Sequence, residues 1–197
     1  MSDVKGIKIQ IMKRIETERL ILRDFKESDA RDLYEYLAEP EVNCFACMKL
    51  MDMDAARKGA RERAEDEMYF AIEEKASGKV IGEIFTHLES ADPEQDSDNL
   101  DTASPCWMLN KEYQGKGYMH EAVCAFYDYL FNEIGVRRIY IFTEDYNVAC
   151  QNLCNKLGMR HEGTFMEFVS FVDNPDGTPK YENTMQFAVL KREWEAR

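Results

Sequence analysis

The chain has 197 residues, 45% apolar and 32% charged, enough to bury one sizeable core, and it is expected to fold as a single domain over residues 1–197. Its formal net charge of −13 argues against a nucleic-acid partner, which needs a basic face, and suits a cationic substrate. No run reaches the roughly 20 apolar residues that span a bilayer, and "MSDVKGIKIQIMKR" lacks the apolar block of a secretory signal, so a cytoplasmic location without a membrane partner is expected.

In chain order, "TERLILRDF" (17–25) alternates Leu20, Leu22 and Phe25 with charged neighbours and predicts a half-buried strand. Ser28 or Asp29 is placed to cap a helix through "ARDLYEYLAE", with Pro40 beyond its end. "DMDAARKGARERAEDEM" (52–68) is charged nearly all round and predicts a solvated helix rather than a core element. "MYFAIEE" and "KVIGEIFTHLE" read as two strands joined at Ala76-Ser77-Gly78. "SADPEQDSDNLDTAS" is acidic and turn-rich, which predicts an exposed loop, and "PCWMLN" a short strand after it. Ala122, Val123, Phe126, Leu130, Phe131 and Ile134 then recur at helical spacing, with Gly135 at the end. "RRIYIFT" is a strand, "NVACQNLCNKLG" an amphipathic helix, and "GTFMEFVSFVD" and "ENTMQFAVLKREW" are strands joined across "NPDGTP". The pattern is that of one mixed α/β (α+β) domain.

Two features bear on chemistry. Six cysteines include a C-x-x-C at Cys44 and Cys47, half of a zinc site, but no second pair follows and no metal is expected. The other feature is "NKEYQGKGYMHEA" (110–122), with Gly115 and Gly117 around a lysine just ahead of a helix. Strand, glycine turn and helix make an anion site, because unpaired N–H groups and the helix dipole point at the turn. A plain capping turn would accept the same glycines. The spacing is not that of a Walker loop, since Gly117 and Tyr118 follow Lys116, nor G-x-G-x-x-G, since His120 stands at the third glycine.

The segment Gln114-Gly115-Lys116-Gly117-Tyr118-Met119 resembles the pyrophosphate loop [Q/R]-x-x-G-x-[G/A] of the GNAT superfamily of acyl-CoA-dependent N-acyltransferases, except at Met119. Glu121-Ala122 fits the branch containing the ribosomal-protein N-terminal acetyltransferases. Asn147-x-x-Cys150 and "NKLGMRHEG" (155–163) resemble the family's N-x-x-S…EKLGF-x-x-EG, and "TERLILRDF" and "FAVLKREW" look like the branch's first and last strands. The resemblance implies a mostly antiparallel, bent sheet with flanking helices and two splayed central strands, expected to be "KVIGEIFTH" and "PCWMLN". It implies acetyl-CoA as co-substrate: Met108 and Leu109 on the pantetheine amides, residues 114–119 on the pyrophosphate, Asn147 near the pantetheine end. The acceptor it implies is an amine, of a small molecule or a protein N-terminus, attacking the thioester directly.

That chemistry needs a base, an oxyanion donor and an acid for the leaving thiolate. Glu83 is the candidate base, against the alternative of a solvent-facing carboxylate on an alternating strand; His87 and Glu89 are weaker candidates. Cys150 and Cys154 stand where relatives carry hydroxyls and are the candidate acids, against the alternative of small apolar packing on a helix face. Lys116 is placed to touch phosphate or solvent, and Tyr118 to cover the cofactor or pack. A CoA-binding module without catalysis is the competing function.

Overall fold

The computed structural model of the protein describes residues 14–90 and 100–197. Eight strands form one sheet in the order β1-β2-β3-β4-β5-β6-β8-β7. They are β1 (Arg14–Glu16), β2 (Leu20–Arg23), β3 (Tyr69–Glu74), β4 (Val80–Glu89), β5 (Thr102–Leu109), β6 (Arg138–Glu144), β7 (Arg160–Asp173) and β8 (Pro179–Leu190). The helices are α1 (Ala30–Leu37), α2 (Met53–Glu65), α3 (Tyr118–Tyr129), α4 (Val148–Lys156) and α5 (Lys191–Trp194). Neighbouring strands run antiparallel except β5 and β6, which are parallel.

Two apolar clusters cover the sheet. The larger packs Val123 and Phe126 of α3, together with Leu130, Leu157 and Trp194, against Leu22, Phe70, Ile84 and Ile139. The smaller packs α1 and α2, through Leu33, Leu37, Ala56 and Ala60, against Ala71, Val80 and Met108. β2 is accordingly buried along its whole length, not half-buried, because helices close over both faces.

Four further expectations are corrected. α2 is not a solvated helix: Ala56, Gly59, Ala60 and Arg63 form a buried stripe at helical spacing. Small side chains let this stripe approach α1 closely; a Cβ at Gly59 would sit 3.6 Å from Leu33 Cδ2. β5 begins at Thr102, inside the predicted loop, because Thr102 pairs with Glu89 of β4 and with Arg138 of β6. Of that loop, residues 91–99 lie outside the described residues. The closing "KREW" is the helical turn α5, whose Trp194 Nε1 donates to Asp128 of α3 at 2.7 Å.

The fourth correction concerns the opened pair of strands. β4 and β5 stay in continuous register from Gly82↔Leu109 to Glu89↔Thr102. The pair that separates is β5 and β6: only Thr102↔Arg138 and Ala103↔Ile139 are bridged, and β5 runs on to Leu109 with no β6 partner. Parallel strands joined by a long crossover diverge more readily than a hairpin-like antiparallel pair, whose ladder continues on every residue.

Candidate active site

The site is built where β5 hands over to α3. Asn110 follows β5 and is buried; its Oδ1 accepts the Glu112 N–H at 3.0 Å, which starts a short 3-10 turn at Lys111–Tyr113. Gly115 (φ +72°) and Gly117 (φ +82°) then turn the chain into α3 through left-handed backbone that side chains rarely adopt. Among the described residues no acceptor takes the N–H groups of residues 115–120; the first helical bond is Glu121 N–H to Gly117 O, at 3.1 Å. A Cβ on Gly115 would meet nothing within 4 Å. The turn is therefore a cradle of bare donors at a helix N-terminus, suited to a phosphate.

Side chains around this turn hold it rather than fill it. Arg19 Nη1 donates to Lys116 O at 3.0 Å, and Gln114 Nε2 to Glu41 Oε2 at 2.8 Å. Glu121 accepts from Thr17 Oγ1 (2.5 Å), Arg19 N (2.8 Å) and Arg19 Nε (2.6 Å), tying the β1–β2 turn to the first turn of α3. Tyr118 donates to Glu74 and lies under the Arg19 guanidinium, while Lys116 Nζ sits 5.3 Å from the Tyr113 ring. Met119 packs against the larger core.

Burial alone would raise the Glu121 carboxyl, but the Thr17 and Arg19 donors outweigh it and hold it below its ordinary value of 4.5. A group depressed in the folded state adds stability above its unfolded value and loses it as pH falls through its folded one. The urea midpoint should therefore drop as pH falls below about 4.5. Glu121→Gln should flatten that acid limb; an unchanged limb in midpoint-versus-pH measurements would remove this anchor.

Glu83 is fully buried, not solvent-facing. Arg63 Nε donates to its Oε2 at 2.7 Å and Nη2 to its Oε1 at 3.2 Å, and the Tyr36 hydroxyl donates to Oε2 at 3.2 Å. The cause is a β-bulge: Ile72 faces Gly82 and Glu73 faces Val80, so Ile81 is extra. The added residue shifts the phase, sending Ile81 and Ile84 to the larger core while Val80 joins the smaller one and Glu83 meets α1 and α2.

Across the opening, Asn147 caps α4, its Oδ1 accepting from Cys150 N at 3.1 Å. Cys154 is fully buried in the larger core, and its thiol is pushed up by its hydrogen bond with Cys150 and by burial. Cys150 is half-buried and is the more acidic thiol of the pair, the hydrogen bond with Cys154 being the largest cause. His87 is exposed and Glu89 accepts from the Tyr140 hydroxyl at 2.9 Å. Cys44 and Cys47 lie in one 3-10 turn, Asn43–Met48, and neither is in a disulfide. Among the described residues no group of three or more His, Cys, Asp or Glu is arranged to hold a metal, and no helix is long and apolar enough to cross a membrane.

The residues missed from sequence are those that hold the turn, Arg19 and Glu41, and one at the end of β6, Glu144. Glu144 is 2% exposed, and its Oε1 accepts from Cys44 N at 3.0 Å. The sequence carries a faint signal for it: an acidic residue closing the apolar strand "RIYIFTE".

A parallel pair that opens beside bare N–H groups at a helix start is the frame of an acyl-transferring enzyme. The chain belongs to the GNAT acetyltransferase family, whose domain model, "Acetyltransferase (GNAT) domain", matches residues 19–160. It is 26% identical over 181 residues to the uncharacterized N-acetyltransferase YnaD of Bacillus subtilis (strain 168), covering 91% of this chain and 98% of that one. Its fold is similar to that of a GNAT-family acetyltransferase from Bacillus anthracis (TM-score 0.77, 24% identity, 91% of this chain and 99% of that one). It is also similar in fold to a ribosomal-protein-S5-alanine acetyltransferase from Vibrio fischeri (TM-score 0.69, 20% identity, 92% and 98% covered). The protein is thus an acetyltransferase, with the mixed α/β fold that its motifs implied.

Proposed function

We propose that the enzyme transfers an acetyl group from acetyl-CoA to a primary amine, of a cationic small molecule or a protein N-terminus, by direct attack. The observation that carries this reading is the alignment of two features: the β5–β6 opening and the bare N–H groups at residues 115–120. The donor's diphosphate is taken by the loop Gln114 to Met119, chiefly through main-chain donors, since Tyr118 and Met119 spend their side chains on protein. Its pantetheine arm follows the opening past Met108 and Leu109 towards Asn147, whose Oδ1 is occupied in capping α4. We assign Cys150 as the proton donor to the leaving thiolate, because Cys154 is locked in the core. Glu83 is assigned to holding α1 and α2 on the sheet, since Arg63 and Tyr36 occupy both its oxygens.

Thermal unfolding with CoA and with ATP separates this from a generic phosphate site. CoA at 100 times its Kd contributes about 2.7 kcal/mol, which should raise Tm by about 5–10 °C for a chain of this size, while ATP should give less. Acetyl-CoA turnover should then appear with at least one member of a panel of polyamines, aminoglycosides and peptides bearing a free α-amine. Equal protection by ATP, or CoA binding with no amine acetylated, would defeat the proposal.

A further inference from the structure

Among the described residues, buried carboxylates come with countercharges, with one exception. Asp29 pairs with Arg23 at 2.8 Å, Glu83 with Arg63 at 2.7 Å and Glu182 with Lys180 at 3.2 Å. Glu144 is as buried as these, yet among the described residues no arginine, lysine or histidine pairs with it; the Cys44 main-chain N–H and thiol bond its carboxylate, and Oε2 itself has no partner within hydrogen-bond geometry. The neighbouring Thr184, opposite Glu144 in the β6–β8 ladder, is also buried with its Oγ1 unpartnered. A buried charge without a partner is costly, so such a group is retained where something else supplies the missing partner.

The position says what that partner is. Glu144 ends β6, the strand that parts from β5, and its charge is felt by the thiols of Cys106 on β5 and Cys150 on α4. Its other titratable neighbours are the Cys44 thiol, pushed up first by burial and then by its hydrogen bond with Glu144, and the Tyr146 phenol, pushed up first by burial and also by the Glu144 charge. None of these groups is a cation. On the outer side Glu182 accepts from Asn43 Nδ2 at 2.6 Å and from the Tyr146 hydroxyl at 3.3 Å. An open depression of about 460 Å³ adjoins this side, lined by Asp145, Glu167 and Glu182 with one lysine, Lys180. The lining carries three carboxylates to one lysine, which favours a cation, and Glu144 is the chain neighbour of its Asp145.

We propose that Glu144 is the residue that receives the acceptor's ammonium group at the β5–β6 opening and takes its proton. This rests on the acyl-transfer reading above. One proton passes from the ammonium to Glu144 Oε2. The freed lone pair forms the C–N bond to the acetyl carbon, the C–S bond breaks, and its electron pair goes to sulfur. Cys150 gives its proton to that sulfur and is reprotonated by the proton that the new amide nitrogen sheds. The sum is amide, free CoA thiol and a protonated Glu144, which returns its proton to solvent.

The test is Glu144→Gln, which keeps an acceptor for the Cys44 N–H but removes the charge. Turnover is read with acetyl-CoA and the best amine of the panel, CoA affinity by calorimetric titration, and stability by urea unfolding. The expected result is a fall of about 10²-fold or more in kcat/KM, CoA affinity within about twofold of wild type, and a urea midpoint no lower than wild type. The midpoint readout is diagnostic: removing an unmatched buried charge does not weaken the free fold, whereas removing one half of an ion pair does. Turnover that survives in Glu144→Gln while wild type is active overturns this inference alone. A lowered midpoint does so too, since it reveals a partner within the fold. Wild-type protein that acetylates no amine of the panel overturns the acyl-transfer reading and this inference with it.

Discussion

Replacing Glu83 with Ala is expected to destabilise the protein by about 3–5 kcal/mol, the usual cost of stripping one partner from a buried ion pair. Among the described residues Glu83 is the only acceptor that Arg63's Nε and Nη2 have, and Arg63 is only 9% exposed, so the variant strands a guanidinium between α2 and the sheet. Tyr36 of α1 loses its acceptor in the same step. Both helices of the smaller core are therefore loosened by one substitution on β4. The double variant Glu83→Leu with Arg63→Met should recover most of the loss, because apolar groups of similar volume replace a buried pair at little net cost. Urea unfolding of the single and double variants checks this. An Ala variant with wild-type midpoint and lost turnover would return Glu83 to the role of a base.

The same carboxylate shows what could be read from the sequence and what could not. Strand and helix order was legible because periodicities of 2.0 and 3.6 are imposed by burial, which acts residue by residue along the chain. The glycine turn ahead of α3 was legible because the glycines at 115 and 117 are demanded by local backbone geometry. The phase of β4 was not, since the bulge at Ile81 arises from pairing with β3 and leaves no mark on composition. α2 misled for a related reason: its contact stripe is built from Ala, Gly and the stem of an arginine, which weigh little on any hydrophobic scale. The strand pair that opens was misplaced because a chain shows the order of its strands but not which neighbours stay bonded. Glu144 was overlooked because its distinction is a missing partner, and absence of a countercharge is a property of three-dimensional surroundings alone.

Three glycines separate the demands of folding from those of donor binding. At Gly82 a Cβ would lie 2.3 Å from Met108 O and 3.0 Å from Leu109 Cα, so the end of β5 must move. Gly82→Ala should cost about 1–3 kcal/mol by overpacking and, because Met108 and Leu109 border the β5–β6 opening, should also weaken CoA binding. At Gly115 the added carbon meets nothing within 4 Å, and the cost is that of a left-handed alanine, about 1–2 kcal/mol. If the loop holds the diphosphate as proposed, that methyl group enters the phosphate's space, so Gly115→Ala should weaken CoA binding by about tenfold or more, equivalent to about 1.4 kcal/mol. Gly78 is the control: it has φ +70° and nothing within 4 Å of an added Cβ, and it lies in the β3–β4 turn, outside the loop 114–119. Gly78→Ala should match Gly115→Ala in stability loss and leave CoA affinity at its wild-type value. Urea midpoints and calorimetric CoA titrations of the three variants give the comparison. If Gly115→Ala binds CoA as well as Gly78→Ala does, the turn ahead of α3 is a helix cap and nothing more.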